Sequence, residues 1–297
     1  MPQNANTTMN GTQSCPSSST AEKIAFTCAC SLIFIVSLTG NTVIGIIVYK
    51  TRTMRKPINF FIVNMAISDL LYPIILIPQA IQNIYLDSWL IGGPLGQALC
   101  KLVVFAEDVS AIVSVLSLVL IAVDRFGAVV FPLRSPLISS KLCPFFILAT
   151  WIVAIAIIVP ELFAYKLVKY SRTLVCELHW NEVFGESSSF ENYLLFVTVA
   201  FTFIPLVLIA IIYIIIYLKF KSQKIPGEQS ANYGQQRQQR ERNMLKMAIA
   251  IVLGLAGCWL PLAISFPILV LEDTGEYMAE LRRPIFALCC LFYVYCK

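Results

Sequence analysis

The sequence predicts an all-α, seven-transmembrane-helix bundle with an incomplete seventh helix, and three observations predict it. Of 297 residues, 58% are hydrophobic and only 13% charged, with a mean hydropathy of +0.77, which is more apolar matter than a soluble core of this length buries. Seven apolar segments run near 24–49, 58–81, 98–123, 143–163, 191–220, 244–271 and 284–296, and six of them reach the roughly 20 residues a bilayer crossing demands. Within each segment the apolar residues are continuous instead of alternating. That fits a helix, whose backbone groups are satisfied internally, better than a barrel strand.

Residues 1–23 form a polar Ser/Thr/Asn-rich tail, expected to be disordered. Its triplets Asn6-Thr7-Thr8 and Asn10-Gly11-Thr12 are glycosylation acceptors. The apolar run from Ile24 to Tyr49 is too long for the core of a cleaved signal peptide and reads as the first span of a membrane domain covering 24–297. Lys50, Arg52, Arg55 and Lys56 follow span one, and Lys219, Lys221, Lys224, Arg237, Arg240 and Arg242 lie between spans five and six. Short basic loops stay in the cytoplasm, so the N-terminus is expected outside. The Gln/Gly/Ser-rich stretch near 221–240 reads as a flexible cytoplasmic loop.

Ionisable and polar groups inside spans cost free energy, so each is a functional candidate. At 1.5 Å per residue, Asn41, Ser114 and Asp69 come out about 14, 16 and 18 Å from the cytoplasmic ends of spans one, three and two. Three polar side chains thus share a layer, which reads either as a hydrogen-bond cluster joining helices or as a small-cation site using Asp69 and Ser114. In span three, Glu107, Ser114 and Arg125 are separated by seven and eleven residues, close to whole helical turns, while Asp108 is rotated by about 100°. Glu107 is therefore the better cavity-lining carboxylate, unless either acid reaches a basic loop residue at the rim. Arg125 falls about 37 Å below Cys100, at the cytoplasmic mouth, and Glu241 on span six reaches a comparable level. They could pair, or Glu241 could stand solvated beside Arg240 and Arg242. Pro160, Pro205, Pro261 and Pro267 each interrupt a span and would free backbone carbonyls, with Trp259 two residues before Pro261.

Most of the ten cysteines lie in apolar spans and behave as small hydrophobes. Cys100 and Cys176 instead fall on the outer, oxidising side, which favours a disulfide over two free thiols.

These residues together resemble the rhodopsin-like G-protein-coupled receptors, from Ile24 onward. The resemblance is carried by Gly40-Asn41, Ile67-Ser68-Asp69-Leu70, Trp89, Cys100, Asp124-Arg125-Phe126, Trp151, Pro205, Tyr213 and Cys258-Trp259-Leu260-Pro261, in that order. It implies a Cys100–Cys176 disulfide, a sodium pocket around Asp69, Ser114 and Asn41, and an Arg125–Glu241 restraint. Asp124, Tyr213, Pro205, Trp259 and Pro261 would serve activation, and a heterotrimeric G protein would be the partner in the plasma membrane. Phe126 stands where the family usually has Tyr, and Leu255 where it usually has Phe. The family's late Asn-Pro-x-x-Tyr motif does not appear before Lys297.

Within that resemblance a peptide with a basic group is the expected ligand, met by Glu107 or Asp108 with Phe266 from span six, as in neuropeptide receptors. Leu262 and Ala263 stand where amine receptors carry aromatics, and Lys297 does not match an opsin's Schiff-base lysine. An enzyme is not expected, because the lone His179 offers neither a dyad nor a metal set, and no nucleic acid is implied. Residues 284–297 span only about 21 Å as a helix. The alternative expectation is thus a truncated, non-signalling receptor that binds ligand or dimerises with a full-length relative.

Overall fold

The computed structural model describes residues 20–222, save 55, 87, 132–136 and 172, together with residue 239. Predicted spans six and seven, with Glu241, Trp259, Pro261 and Phe266, lie outside the described residues, as do Asn6 and Asn10.

Helix α1 runs Thr20–Lys50, α2 Pro57–Tyr85, α3 Gly93–Val130 and α4 Cys143–Ala164. A hairpin follows, β1 Tyr165–Tyr170 and β2 Thr173–Leu178, then the short helix α5 Trp180–Phe184. The next apolar run divides into α6 Phe190–Thr198, a π-helical turn Val199–Phe203, and α7 Ile204–Ser222. Among the described residues, five stretches are long and apolar enough to cross a bilayer: α1, most of α2, α3, α4, and the continuous run Phe190–Lys219. These are the first five predicted segments, and α1 and α3 extend past the apolar residues at both ends.

Proline marks the first turn of α2, α3 and α4, where its missing N–H has no intrahelical partner to lose and its φ is already helical. Pro73, Pro78 and Pro160 lie deeper, inside α2 and α4. Pro205 follows the π-helical turn with only Ile204 between. A proline there cannot donate to the preceding turn and crowds it, and the wider π winding relieves that conflict without ending the span.

Helix α3 is the hub, packed against α2, α4 and α7. Toward its Arg125 end, Leu118 and Ala122 meet Met65 of α2 and Leu206, Ile209, Ile212, Tyr213 and Ile216 of α7. Nearer the hairpin, Val109, Ile112 and Val113 pack on Ala154 and Ile158 of α4. Large apolar side chains such as Leu32, Ile35, Phe145 and Ile214 stand exposed on the perimeter. Water would penalise that surface at about 25 cal/mol per Å², whereas lipid does not.

The hairpin was not anticipated. Its strands pair antiparallel with Leu167 opposite Cys176, and Ser171 turns the chain at φ 43°. Cys176 bonds Cys100 of α3, with the two Cα atoms 5.7 Å apart. Gln97 of α3 clamps β1, accepting from Leu167 N at 2.8 Å and donating to Tyr165 O at 3.3 Å. On the other side Trp89 N donates to Leu174 O at 2.6 Å, and Leu174 N to Ser88 Oγ at 2.9 Å. The hairpin is therefore fixed to α3 and to the α2–α3 connection. Gly96 leaves room for the turn into α3 and for β1: a Cβ there would lie 1.8 Å from the Ile91 carbonyl oxygen and 3.0 Å from the Leu167 side chain.

Candidate functional site

Four polar groupings lie along α3, and the distances say which predicted residues meet. At mid-span, Asp69 of α2 is fully buried and its Oδ1 accepts from Ser114 Oγ at 2.6 Å. Ser114 also shares a 2.7 Å hydrogen bond with Ser68, whose carbonyl accepts from Ser110 Oγ at 2.7 Å. Asn41 is buried at α1 and donates within its own helix, to Ser37 O at 3.0 Å and Ser37 Oγ at 3.2 Å. Asp69 and Ser114 thus form one oxygen-rich seam between α2 and α3. Such a set suits a hard monovalent cation or an internal hydrogen-bond cluster equally well by chemistry.

A second network stands beside it and was not singled out from sequence. Asn64 of α2 donates to Ser117 Oγ at 2.9 Å and to Thr150 Oγ1 at 3.3 Å, and accepts from Trp151 Nε1 at 2.8 Å. One amide ties α2, α3 and α4, and its orientation follows from those partners.

Nearer the hairpin, the three carboxyl groups of Glu107, Asp108 and Glu161 gather. Asp108, rotated off the Ser114 face of α3, lies close enough to Glu161 of α4 for their charges to bear on each other. Glu107 lies close enough for its charge to bear on Glu161. Tyr193 of α6 completes the group beside Glu161, donating to Ile157 O at 2.9 Å. Its ring stacks on Trp180 at 4.8 Å, and Trp180 also contacts Phe184 and Phe190. Glu161 is a lone acid beside Pro160 in the apolar run of α4, and no sequence pattern pairs it with α3.

The hairpin and α5 carry their own charges. Tyr170 donates to Glu177 at 2.9 Å, and that hydrogen bond to a carboxylate pushes the phenol above its ordinary value. Glu182 is bonded to Lys166 Nζ and lies 2.7 Å from His179 Nδ1, with His179 Nε2 3.6 Å from Glu177. The hydrogen bond from Lys166, then that from His179, holds the Glu182 carboxyl below its usual range.

At the far end of α3, Arg125 pairs with its neighbour Asp124 at 3.3 Å. Tyr213 is buried in the α3–α7 core and lies within reach of the Arg125 charge. Glu241, Trp259, Pro261 and Phe266 lie outside the described residues, so their predicted meeting with these groups is not on view.

Residues 40–297 match the sequence profile described as 7 transmembrane receptor (rhodopsin family). The chain is 32% identical over 238 residues to the QRFP-like peptide receptor of Branchiostoma floridae, covering 77% of this chain and 60% of that one. It is 31% identical to the RYamide receptor of Drosophila melanogaster, covering 77% and 49%, and 30% identical to the neuropeptide FF receptor 1 of Rattus norvegicus, covering 86% and 60%. The chain thus spans between about half and three fifths of the length of these relatives.

Proposed function

The chain belongs to the rhodopsin family of seven-transmembrane receptors, a multi-pass membrane protein, and from that premise we propose that it binds an extracellular peptide carrying a basic group and activates a heterotrimeric G protein. The observation that carries the reading is the meeting of Glu107, Asp108 and Glu161 near the disulfide. Desolvated carboxylates there would select a cationic ligand group and reject an anionic one. The relatives named as receptors for RYamide, neuropeptide FF and a QRFP-like peptide support the same class.

In this reading the N-terminus, with glycans on Asn6 and Asn10, and the hairpin face the outside of the plasma membrane. Glu107 is the principal anionic contact, because Asp108 is rotated off the Ser114 face of α3, and Phe266 supplies an apolar wall. Asp69 and Ser114, with Asn41 nearby, hold a sodium ion between α2 and α3 in the resting state. Asp124, Arg125 and Tyr213 form the G-protein end with Glu241, while Pro205 and the Trp259–Pro261 step provide the bends that let helices move.

The test is peptide-stimulated exchange of GDP for GTP on a heterotrimeric G protein in membranes carrying this chain, with RYamide and neuropeptide FF as first probes. Saturable binding with stimulated exchange is expected. Saturable binding without exchange would overturn the signalling half of the proposal, and binding of neither peptide nor any basic analogue would overturn the ligand half.

A further inference from the structure

His179 is the chain's single histidine. It stands where β2 ends and α5 begins, with its ring between two carboxyl groups. Nδ1 lies 2.7 Å from Glu182 Oε1 on α5, and Nε2 lies 3.6 Å from Glu177 Oε2 on β2. The hydrogen bond from Lys166 of β1 holds the Glu182 carboxyl below its usual range, so Glu182 accepts and the ring donates from Nδ1. A neutral imidazole has only that one N–H. Its Nε2 then turns a lone pair toward the Glu177 carboxylate, and among the described residues that nitrogen is buried without a hydrogen-bond partner. Glu177 Oε2 is meanwhile met by Tyr170, whose hydroxyl donates to it at 2.9 Å. The neutral ring thus answers one neighbour and leaves two acceptors facing each other.

We propose that His179 is a proton-operated clamp on the hairpin side of the membrane: a second proton on its ring draws Nε2 onto Glu177 while Nδ1 holds Glu182, so that acidification locks β2 to α5. The 3.6 Å separation then closes toward the about 2.8 Å of a charge-assisted hydrogen bond. The charged groups facing the ring are Glu177 from β2 and Glu182 from α5. Lys166 of β1 stands opposite Glu177 in the strand register but is bonded to Glu182, and Tyr170 of β1 acts through Glu177. From α4 the contact is backbone, His179 N donating to the Ala164 carbonyl at 2.8 Å. Two carboxylates and one ammonium leave a negative charge for the imidazolium to neutralise. The sign follows: the clamp is closed while the second proton is present and opens as pH rises, across the window of about pH 5 to about pH 8 in which histidine side chains change charge. Well below that window Glu182 itself takes up a proton and the α5 half of the contact is lost. Trp180 follows the ring directly and is buried against Tyr193 and Phe190 of α6, at 4.8 and 5.2 Å. A firmer α5 therefore also steadies the start of the fifth membrane-crossing stretch.

Nuclear magnetic resonance of the chain in lipid nanodiscs, with 15N in histidine only, tests this, because a single histidine gives one resonance for each ring nitrogen. At about pH 8 Nδ1 should be protonated and Nε2 not, and at about pH 5 both should be. A ring protonated on Nε2 and bare on Nδ1 at the higher pH would overturn the proposal. Hydrogen exchange, corrected for intrinsic rates, gives the mechanical readout. From the higher pH to the lower, protection of α5 should rise about two- to fivefold in the wild type, the worth of a part-exposed ion pair. That rise should vanish in Glu177→Gln and in His179→Gln. Equal protection at both pH values in the wild type, or a rise that survives in whichever variant folds, would overturn the clamp.

Discussion

Asn64 shows how much a single buried amide can carry: its oxygen and nitrogen answer Trp151, Ser117 and Thr150 on two other helices. Asn64→Ala leaves the indole N–H of the partly buried Trp151 without its acceptor, and such an orphan costs at most about 1–3 kcal/mol. Trp151→Phe removes donor and polar need together and should cost less in lost polar contact, although it also thins the α3–α4 packing. Melting of the purified receptor should therefore rank Asn64→Ala as at least as destabilising as Trp151→Phe; the opposite order would mean that packing, not the polar network, dominates there. Legibility at this scale was uneven. Asp69 and Ser114 were within reach of sequence reasoning because depth along two helices puts both in one layer, and they meet at 2.6 Å. Asn64 and Glu161 were not, since each is a lone polar residue in an apolar run whose partners lie on other helices. The hydrogen bonds of Asn41 to Ser37 stay within α1, a choice of direction that depth along a helix does not settle.

At the scale of elements, apolar length and continuity suffice for the first five spans, because lipid enforces a helix wherever about 20 apolar residues run together. The hairpin escaped for a physical reason. Two six-residue strands, Tyr165–Tyr170 and Thr173–Leu178, are joined at a turn whose left-handed residue is Ser171 and not the Gly or Asn that announces such turns. The π-helical turn before Pro205 is likewise a tertiary accommodation that local pattern does not encode. The contact of α5 with the hairpin runs through Glu182, bonded to Lys166 of β1 and to His179. Its carboxyl is held below the usual range. The contribution is therefore present above the unfolded carboxylate value of about 4.3 and is lost as pH falls through the folded value. Because the pair is exposed, the effect is local. Hydrogen-exchange protection of α5 and the adjoining strand ends should drop on acidification through that range, and Glu182→Gln should show the lowered protection already at neutral pH. Unchanged protection in Glu182→Gln would remove the contact from the account.

For the molecule as a whole, polar chemistry is strung along α3, with carboxyls near the disulfide, oxygens of Asp69 and Ser114 at mid-span, and Arg125 at the opposite end. A ligand that alters the first group can reach the last through a helix packed on α2, α4 and α7, which is the arrangement a membrane receptor requires. The family was legible from ordered motifs, and the peptide class rests on the carboxyl cluster and the relatives. A double-mutant cycle tests that claim most directly: affinity of the best-binding arginine-containing peptide, and of the same peptide with neutral citrulline for arginine, for wild-type chain and for Glu107→Gln. The account predicts that either change alone weakens binding at least about tenfold, that the two together cost little more than one, and that Asp108→Asn weakens binding less than Glu107→Gln. Fully additive losses, or equal affinity of the two peptides for the wild type, would contradict it.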